Sequence, residues 1–355
     1  MSAQPPKTPA DLAREAADAV QKELTELRKA ASMTTLADAV GDLDHALANL
    51  APEIQQLRTQ GYAFKGYLEQ KSNVLAEQWS AVKQSVQAEI QFASRDLSLE
   101  ADRLDGEFRV IHDYIYADPD RARGQLDALK RAVDLAAQKA NSAASKIRAS
   151  FDNIASNASQ TKTQIQDAKN CLQLFAEASF KLYPNEDPVD AVKAQWLKDD
   201  KNSPKGILFV SDARLVFEQR EEIAKEKVLF IATKKEKVQK VLIDVPVGAA
   251  HKLSESESGA LLWHKELLDV NFVEGTPIRH AQFKLDEDSA LWAALINRVV
   301  SGDMDKERIA PKAVAPTPAK SAPTKCPTCA AKLDAPIVKG MQSVKCPYCG
   351  TVIPL

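Results

Sequence analysis

Four of the five cysteines lie in the last thirty residues as two pairs, Cys326-Pro327-Thr328-Cys329 and Cys346-Pro347-Tyr348-Cys349, sixteen residues apart. A C-x2-C turn presents two thiolates on one side of a tight loop, and two such loops complete a tetrahedron around Zn2+. Cys326, Cys329, Cys346 and Cys349 are therefore the expected ligands of one structural Zn2+. Leu333, Ile337, Val338, Met341, Val344, Val352 and Ile353 cannot make a free-standing core in so short a segment. The metal must supply most of its folding free energy. Four cysteine ligands leave no open position for water, which argues against catalytic zinc.

The spacing and knuckle sequences resemble the zinc-ribbon family. Gly350 follows the second knuckle, where a backbone with positive φ lets amides point at sulfur. Ala330 takes the equivalent place in the first knuckle, a departure from that pattern. Cys346-Pro347-Tyr348-Cys349 also copies a glutaredoxin dipeptide, but that chemistry needs a helix N-terminus to lower the thiol pKa. Six residues follow Cys349, Pro354 among them, so such a helix has no room. From residue 310 onward six lysines stand against Asp334 alone. Such a tail can touch nucleic-acid phosphates. The ribbon lacks Arg, and its one aromatic is Tyr348, so base reading and stacking are poorly served.

Nothing else nominates a reaction. His45, His112, His251, His264 and His280 are scattered, and there is no P-loop or GxGxxG. Cys171 flanks a helical seam and reads as a packed free thiol. The expectation is a non-enzyme. A formal net charge of −2 excludes a chain that coats nucleic acid along its length. No apolar run reaches the ~18–20 residues that cross a bilayer. No signal-like apolar stretch opens the chain, and CxxC pairs suit a reducing compartment. The expected location is the cytoplasm, with peripheral attachment to the inner face of the membrane as an alternative.

The expected fold is multidomain α + β. Residues 1–8 read as a disordered tail and 9–182 as a long antiparallel, coiled-coil-like helical region. Thr8-Pro9 is a plausible N-cap with Pro at the first helical position. Leu12, Ala16, Val20, Leu24 and Leu27 follow at spacings of three and four. A break at Ser32-Met33-Thr34 precedes a second run, and Pro52 marks a kink or a new start. From there one apolar seam is expected to run on to Ile115. Asp118-Pro119 restarts a helix whose seam runs from Leu126 to Phe175. Each arm would be roughly 90 Å long at 1.5 Å per residue, with the first two helices folded back along the hairpin. The seam is closed either within one chain or by partner helices or a second copy.

After Tyr183-Pro184 the composition turns to short β-type runs. They centre on 196–197, 206–210, 214–218, 228–232, 241–245, 260–263, 268–272 and 280–285. One amphipathic helix follows, with Asp288 as N-cap and Leu291, Trp292, Leu295, Ile296 and Val299 inward. Seven or eight strands and a closing helix describe a small capped barrel over 188–302. The hairpin Gly206-Ile207-Leu208-Phe209-Val210-Ser211-Asp212-Ala213-Arg214-Leu215-Val216-Phe217 resembles the G-I-L-x-x-T-D-x-R-L-x-F hairpin of the pleckstrin-homology-like superfamily, in its GRAM and bacterial branches. Ser211 stands for the usual Thr. The resemblance implies a module that docks proteins or anionic lipid. It places Lys198, Lys201 and Lys205 in the first strand-to-strand loop, with Lys234, Lys235, Lys237 and Lys240 after the 228–232 strand, as candidate anionic-surface residues. Asp199, Asp200 and Glu236 dilute both clusters, and a solvated charged loop is the plainer reading.

Pro311, Pro316, Pro318 and Pro323 mark 303–324 as a disordered linker that tethers the ribbon at 325–355 without docking it. The whole reads as a cytoplasmic scaffold or adaptor for partner proteins. A peripheral factor assembling on anionic lipid is the first alternative, and nucleic-acid binding through the ribbon is the second.

Overall fold

A computed structural model describes residues 7–198, 203–228, 231–258, 265–309, 323–333 and 337–355, with side chains outside 223–235 and 257–265. The chain divides into two compact units, Met1–Pro52 with Gln70–Lys162, and Glu53–Glu69 with Thr163–Leu355.

The first unit is helical. Thr8 caps α1 (Pro9–Ala31) through a capping box with Asp11, and Pro9 opens the helix. This satisfies backbone donors that a bare N-terminus would leave orphaned. Met33, at φ 54, makes the corner into α2 (Thr34–Thr59), which carries Pro52 inside it. α3 (Tyr67–His112) has 46 residues, about 69 Å at the standard rise. It is shorter than the expected arm because residues 60–66 break the seam. Asp118 caps α4 (Pro119–Ala149), and α5 (Asp152–Ala176) follows a turn at Ser150-Phe151 where one continuous helix was expected. Leu24 and Leu27 of α1, Leu104 and Phe108 of α3 and Leu126 and Val133 of α4 share one buried cluster. The ion pairs fix the directions. Arg28 meets Asp105 at 3.0 Å, and Asp44 receives Trp79 and Lys83, so α1 and α2 run antiparallel to α3. Lys139 meets Asp96 and Glu100 at 3.3 and 2.9 Å, so α4 also runs antiparallel to α3.

The second unit is built on a seven-stranded antiparallel sheet. Its strands are β1 (Pro188–Trp196), β2 (Lys205–Ser211), β3 (Arg214–Val228), β4 (Ile231–Pro246), β5 (Ala250–Ser258), β6 (Lys265–Phe272) and β7 (His280–Leu285). Their order is β4-β3-β2-β1-β7-β6-β5. β1 joins the halves, pairing with β2 over most of its length and with β7 only at Ala194, Gln195 and Trp196. Helix α6 (Ser289–Ser301), capped by Asp288, buries Trp292, Ile296 and Val299. Leu291, expected inward, is 69% exposed. The expected strand at 228–232 is instead where β3 ends and β4 begins, and the run at 260–263 lies outside the described residues. β5 was not anticipated, because its Ser-Glu-Ser-Glu-Ser sequence carries no apolar alternation. It is an edge strand, where charged side chains discourage further pairing.

β2 is buried on both faces. Ile207 and Phe209 pack outward against Leu174, Phe175 and Phe180, while Leu208 and Val210 are fully buried on the other side. Arg220 lies over the Phe209 ring, and the buried Glu218 carboxylate accepts the Ser179 N–H at 2.6 Å and pairs with Arg220. Burial alone would raise the Glu218 carboxyl, but the bonds from Ser179 and Arg220 hold it below the usual range.

Residues 60–66, read as helix in the sequence, form a loop that buries Tyr62 and Phe64. Tyr62 donates to Val189 O, and Arg58 ties the loop together through Tyr62 O, Phe64 O and Glu69. Asp303–Glu307, expected to open the linker, forms a 3-10 turn. Arg308 after it stacks on Phe64 and pairs with Asp187, Asp212 and Asp305. The linker residues 310–322 lie outside the described residues.

Candidate metal centre and a neighbouring lysine row

The two cysteine knuckles share one hydrogen-bond pattern. Ala330 N–H donates to Cys326 O and Cys326 N–H to Ala331 O; Gly350 N–H donates to Cys346 O and Cys346 N–H to Thr351 O. Each loop must pass through a left-handed residue, Ala330 at φ 56 and Gly350 at φ 78. Alanine accepts that geometry at a cost of roughly 1–2 kcal/mol, so the first knuckle is the strained one. Two short strands, β8 (Ser343–Lys345) and β9 (Val352–Pro354), pair behind the second knuckle. Ile353 and Leu333 pack on Cys326 and Cys346.

All four thiol sulfurs lie within 4.8 Å of one another. Cys326 and Cys349 stand 3.6 Å apart, Cys329 and Cys346 3.7 Å. The Cys329 N–H lowers the Cys326 pKa, and the Thr351 hydroxyl and N–H bring Cys349 down to about 6. Cys329 receives the Ala331 N–H, which favours its thiolate. The proton it shares with the other three thiols nevertheless holds it up to about 12. Backbone amides aimed at sulfur and thiols crowded round one point fit a tetrahedral cation. The donor set is that of a structural site for a soft or borderline metal.

The ribbon is docked, contrary to the expected free tether. Gly248 N–H donates to Lys339 O at 3.0 Å, and the Lys339 ammonium caps the last turn of α6 through Val299 O at 2.8 Å and reaches Asp305. Gly340 sits at φ 87 against Ala213, where a Cβ would lie 1.8 Å from the carbonyl oxygen. Only glycine fits both demands. Spending Lys339 inside the protein removes one of the cations that a nucleic-acid surface would use.

The expected lysine clusters are rearranged. Lys198 lies over the Trp196 ring, Lys201 is outside the described residues, and Lys205 begins β2. Lys234, Lys235 and Lys237 belong to β4, in register with Glu226, Ala224 and Glu222, so they form part of a strand pair and not a loop. Lys205 gains different neighbours. Gln195 of β1 is in register with Lys205 on one side and Lys284 on the other, and Lys193 lies two residues along the same face. These three lysines, with Arg220 and Asp286, line a concavity of about 500 Å³ beside Leu174. Lys205 and Lys284 flank Gln195 from either side, two strand spacings or about 10 Å apart, and Lys193 is diagonal to both. Lys193 and Lys284 were missed because their proximity to Lys205 exists only in strand register. Cys171 is buried, and burial pushes its thiol well above the usual value, as befits a packed group.

No family model matches the chain, and no curated protein matches it. Among solved structures, the Vps36 N-terminal PH domain is 12% identical with a TM-score of 0.22, covering 34% of this chain and 84% of that one. The DH/PH fragment of PDZRHOGEF, from a complex with human RhoA, is 10% identical with a TM-score of 0.25, covering 84% and 96%. An inhibitor-bound Vav1 is 12% identical with a TM-score of 0.27, covering 83% and 82%. Likeness at this level carries no argument about function. Among the described residues no helix is long and apolar enough to cross a membrane.

Proposed function

We propose that the protein is a non-enzymatic scaffold or adaptor that presents protein-docking surfaces on a helical unit and a pleckstrin-homology-like sheet, with a ribbon held by one structural Zn2+. The observation that carries this reading is the closed tetracysteine cluster, whose four sulfurs use every position of a tetrahedral ion and leave none for substrate or water. Such a site organises a surface. The seven antiparallel strands closed by α6 support the pleckstrin-homology-like assignment by count and by the closing helix. The proposed location is the cytoplasm.

Affinity capture with the zinc-loaded chain, set beside a Cys346→Ser chain, tests the adaptor. A protein retained near stoichiometrically and lost with the variant supports it. If nothing is retained and the metal content is one zinc per chain, the adaptor reading fails.

The lysine row favours a second reading, peripheral attachment to anionic lipid at the inner face of the membrane. Lys193, Lys205 and Lys284 line one concavity, where together they can meet an anionic headgroup. Co-sedimentation with anionic vesicles at low and moderate salt tests it. Binding that disappears in Lys205→Glu/Lys284→Glu promotes this reading above the adaptor, and no binding by the wild type removes it.

A further inference from the structure

In the second unit, where α6 lies beside the start of β1, a cavity of about 310 Å³ has three carboxylates on its wall, Asp190, Glu287 and Asp288. Leu291, Trp292 and Leu295 line it as well, so apolar surface stands among the acids. Leu291 is the residue that helical periodicity places inward and that the fold leaves exposed. A concave site with apolar walls and a perturbed titratable group is where ligands are usually held.

Each acid is already steadied by N–H donors. Asp190 accepts the Ala191 N–H at 2.8 Å, and Glu287 accepts the Trp292 indole N–H at 2.9 Å. Asp288 accepts the amides of Ala290 and Leu291 at 2.8 and 3.2 Å. These bonds use one oxygen of each carboxylate. None of the three acids forms an ion pair among the described residues. Arg298, the cation on the same wall, is paired with Glu307.

The surroundings of Asp190 leave its charge uncompensated. Burial raises its carboxyl, and the charges of Glu287 and Asp167 raise it further. Lys65 from the 60–66 loop draws on it without pairing with it. Cys171 of α5 and Tyr62 are pushed well above their usual values by burial, so both stay neutral.

A bare metal ion does not suit this wall. Among the described residues only the four cysteines bring enough donor atoms together to hold one. Acids set among leucines fit a cation that carries its own apolar stem. Asp190 has one oxygen to offer, which suits the compact ammonium of lysine better than a guanidinium that seeks two parallel bonds. Glu287 and Asp288 add negative potential around that point.

We propose that this cavity is a binding site for the lysine side chain of a partner protein, with Asp190 meeting the ammonium and Leu291 and Leu295 the stem. The site rests on the adaptor reading for the protein that brings the lysine, but the cavity can be probed without that protein. A chain that captures a partner and ignores the probe sinks the cavity alone. A chain that takes the probe and captures nothing keeps the cavity's chemistry and sinks the adaptor alone.

The probe is Nα-acetyl-lysine methylamide, titrated into the full zinc-loaded chain while the Trp292 indole N–H resonance is followed. The expected result is a saturable shift, about tenfold or more tighter than with the norleucine analogue, which keeps the stem and lacks the ammonium. Asp190→Asn should weaken the lysine probe about tenfold or more and leave the norleucine analogue unchanged. Leu291→Ala, at an exposed position, should weaken both a few-fold. Affinity for lysine should fall as pH drops through about 6, where Asp190 takes up its proton. Unchanged circular dichroism shows that the variants are folded. The proposal is overturned by a wild type without a saturable shift, by equal affinity for the two probes, or by an Asp190→Asn chain that binds lysine as before. Spermidine binding more tightly than the lysine probe overturns the protein source and assigns the cavity to a free polyamine.

Discussion

The ribbon and the sheet lie in one compact unit, yet they are held together by different physics. The sheet excludes water around Leu208, Phe217, Phe283, Trp292 and Ile296, with Phe175 and Phe180 packed on its outer face. Its stability comes from buried apolar area. The ribbon buries little beyond Cys326, Cys346, Val344 and Ile353. Its four thiols crowd round one point in a cluster compatible with a structural metal ion, and its joint to the sheet is a close contact at Gly248, Lys339 and Gly340. A small segment can hold a defined shape when a metal replaces the core it lacks.

The contrast is broken most severely at a ligand. Cys346→Ser should remove a metal contribution of about 10–16 kcal/mol and unfold the ribbon. Metal content should fall to near zero and amide protection at β8 and β9 should vanish, while the sheet melts where it did before. A simultaneous collapse of the sheet would show that the two share one cooperative unit.

The converse change is Ile296→Ala, at a position with no exposure. It should cost about 2–5 kcal/mol in denaturant unfolding of the sheet and leave the zinc stoichiometry unchanged. Gly340→Val attacks the joint between them, since its side chain would meet Ala213 O. The expected loss is about 1–3 kcal/mol, with metal retained and faster hydrogen exchange at Gly248. Slow exchange at Gly248 in that variant would mean that the joint does not depend on the close approach.

Asp190 sharpens the comparison through pH. Burial pushes its carboxyl up from 3.8 to about 6, against the pull of Lys65 and the Ala191 N–H. An acid raised in the folded state binds its proton more tightly there than in the unfolded chain. Stability therefore falls as pH rises from 3.8 to about 6 and stays lowered above. Asp190→Asn should gain up to roughly 3 kcal/mol at pH 7, and the gain should disappear below pH 4 in thermal melts. The smallest effect belongs to the first knuckle. Ala330→Gly relieves a left-handed alanine and should stabilise the metal-loaded ribbon by about 1 kcal/mol, read as slower metal loss to a chelator.

Local signals were legible wherever a residue type forces a geometry. Thr8, Asp118 and Asp288 announced helix starts because a side-chain acceptor satisfies orphan amides, and each caps a helix. The four cysteines announced their cluster because a C-x2-C turn can point both thiols one way. The loop at 60–66 was hidden because Tyr62 and Phe64 kept the apolar count of a helix while burying themselves in the second unit. Leu291 satisfied the amphipathic pattern of α6 yet stayed exposed, since periodicity allows a face about 100° wide and packing uses only part of it.

The sequence by itself determined the local elements: the capped helices, the hairpin at 206–217 and the metal knuckles. Each depends on residues within a few positions of one another, where stereochemistry acts without help from the rest of the chain. Tertiary structure alone decided which of those elements meet. Lys193, Lys205 and Lys284 came to share one face through strand register, and Lys339 with Gly340 found Val299 and Ala213 across forty and more than a hundred residues respectively. Contacts of that kind are selected by the packing of the whole chain, and no short stretch of sequence carries them.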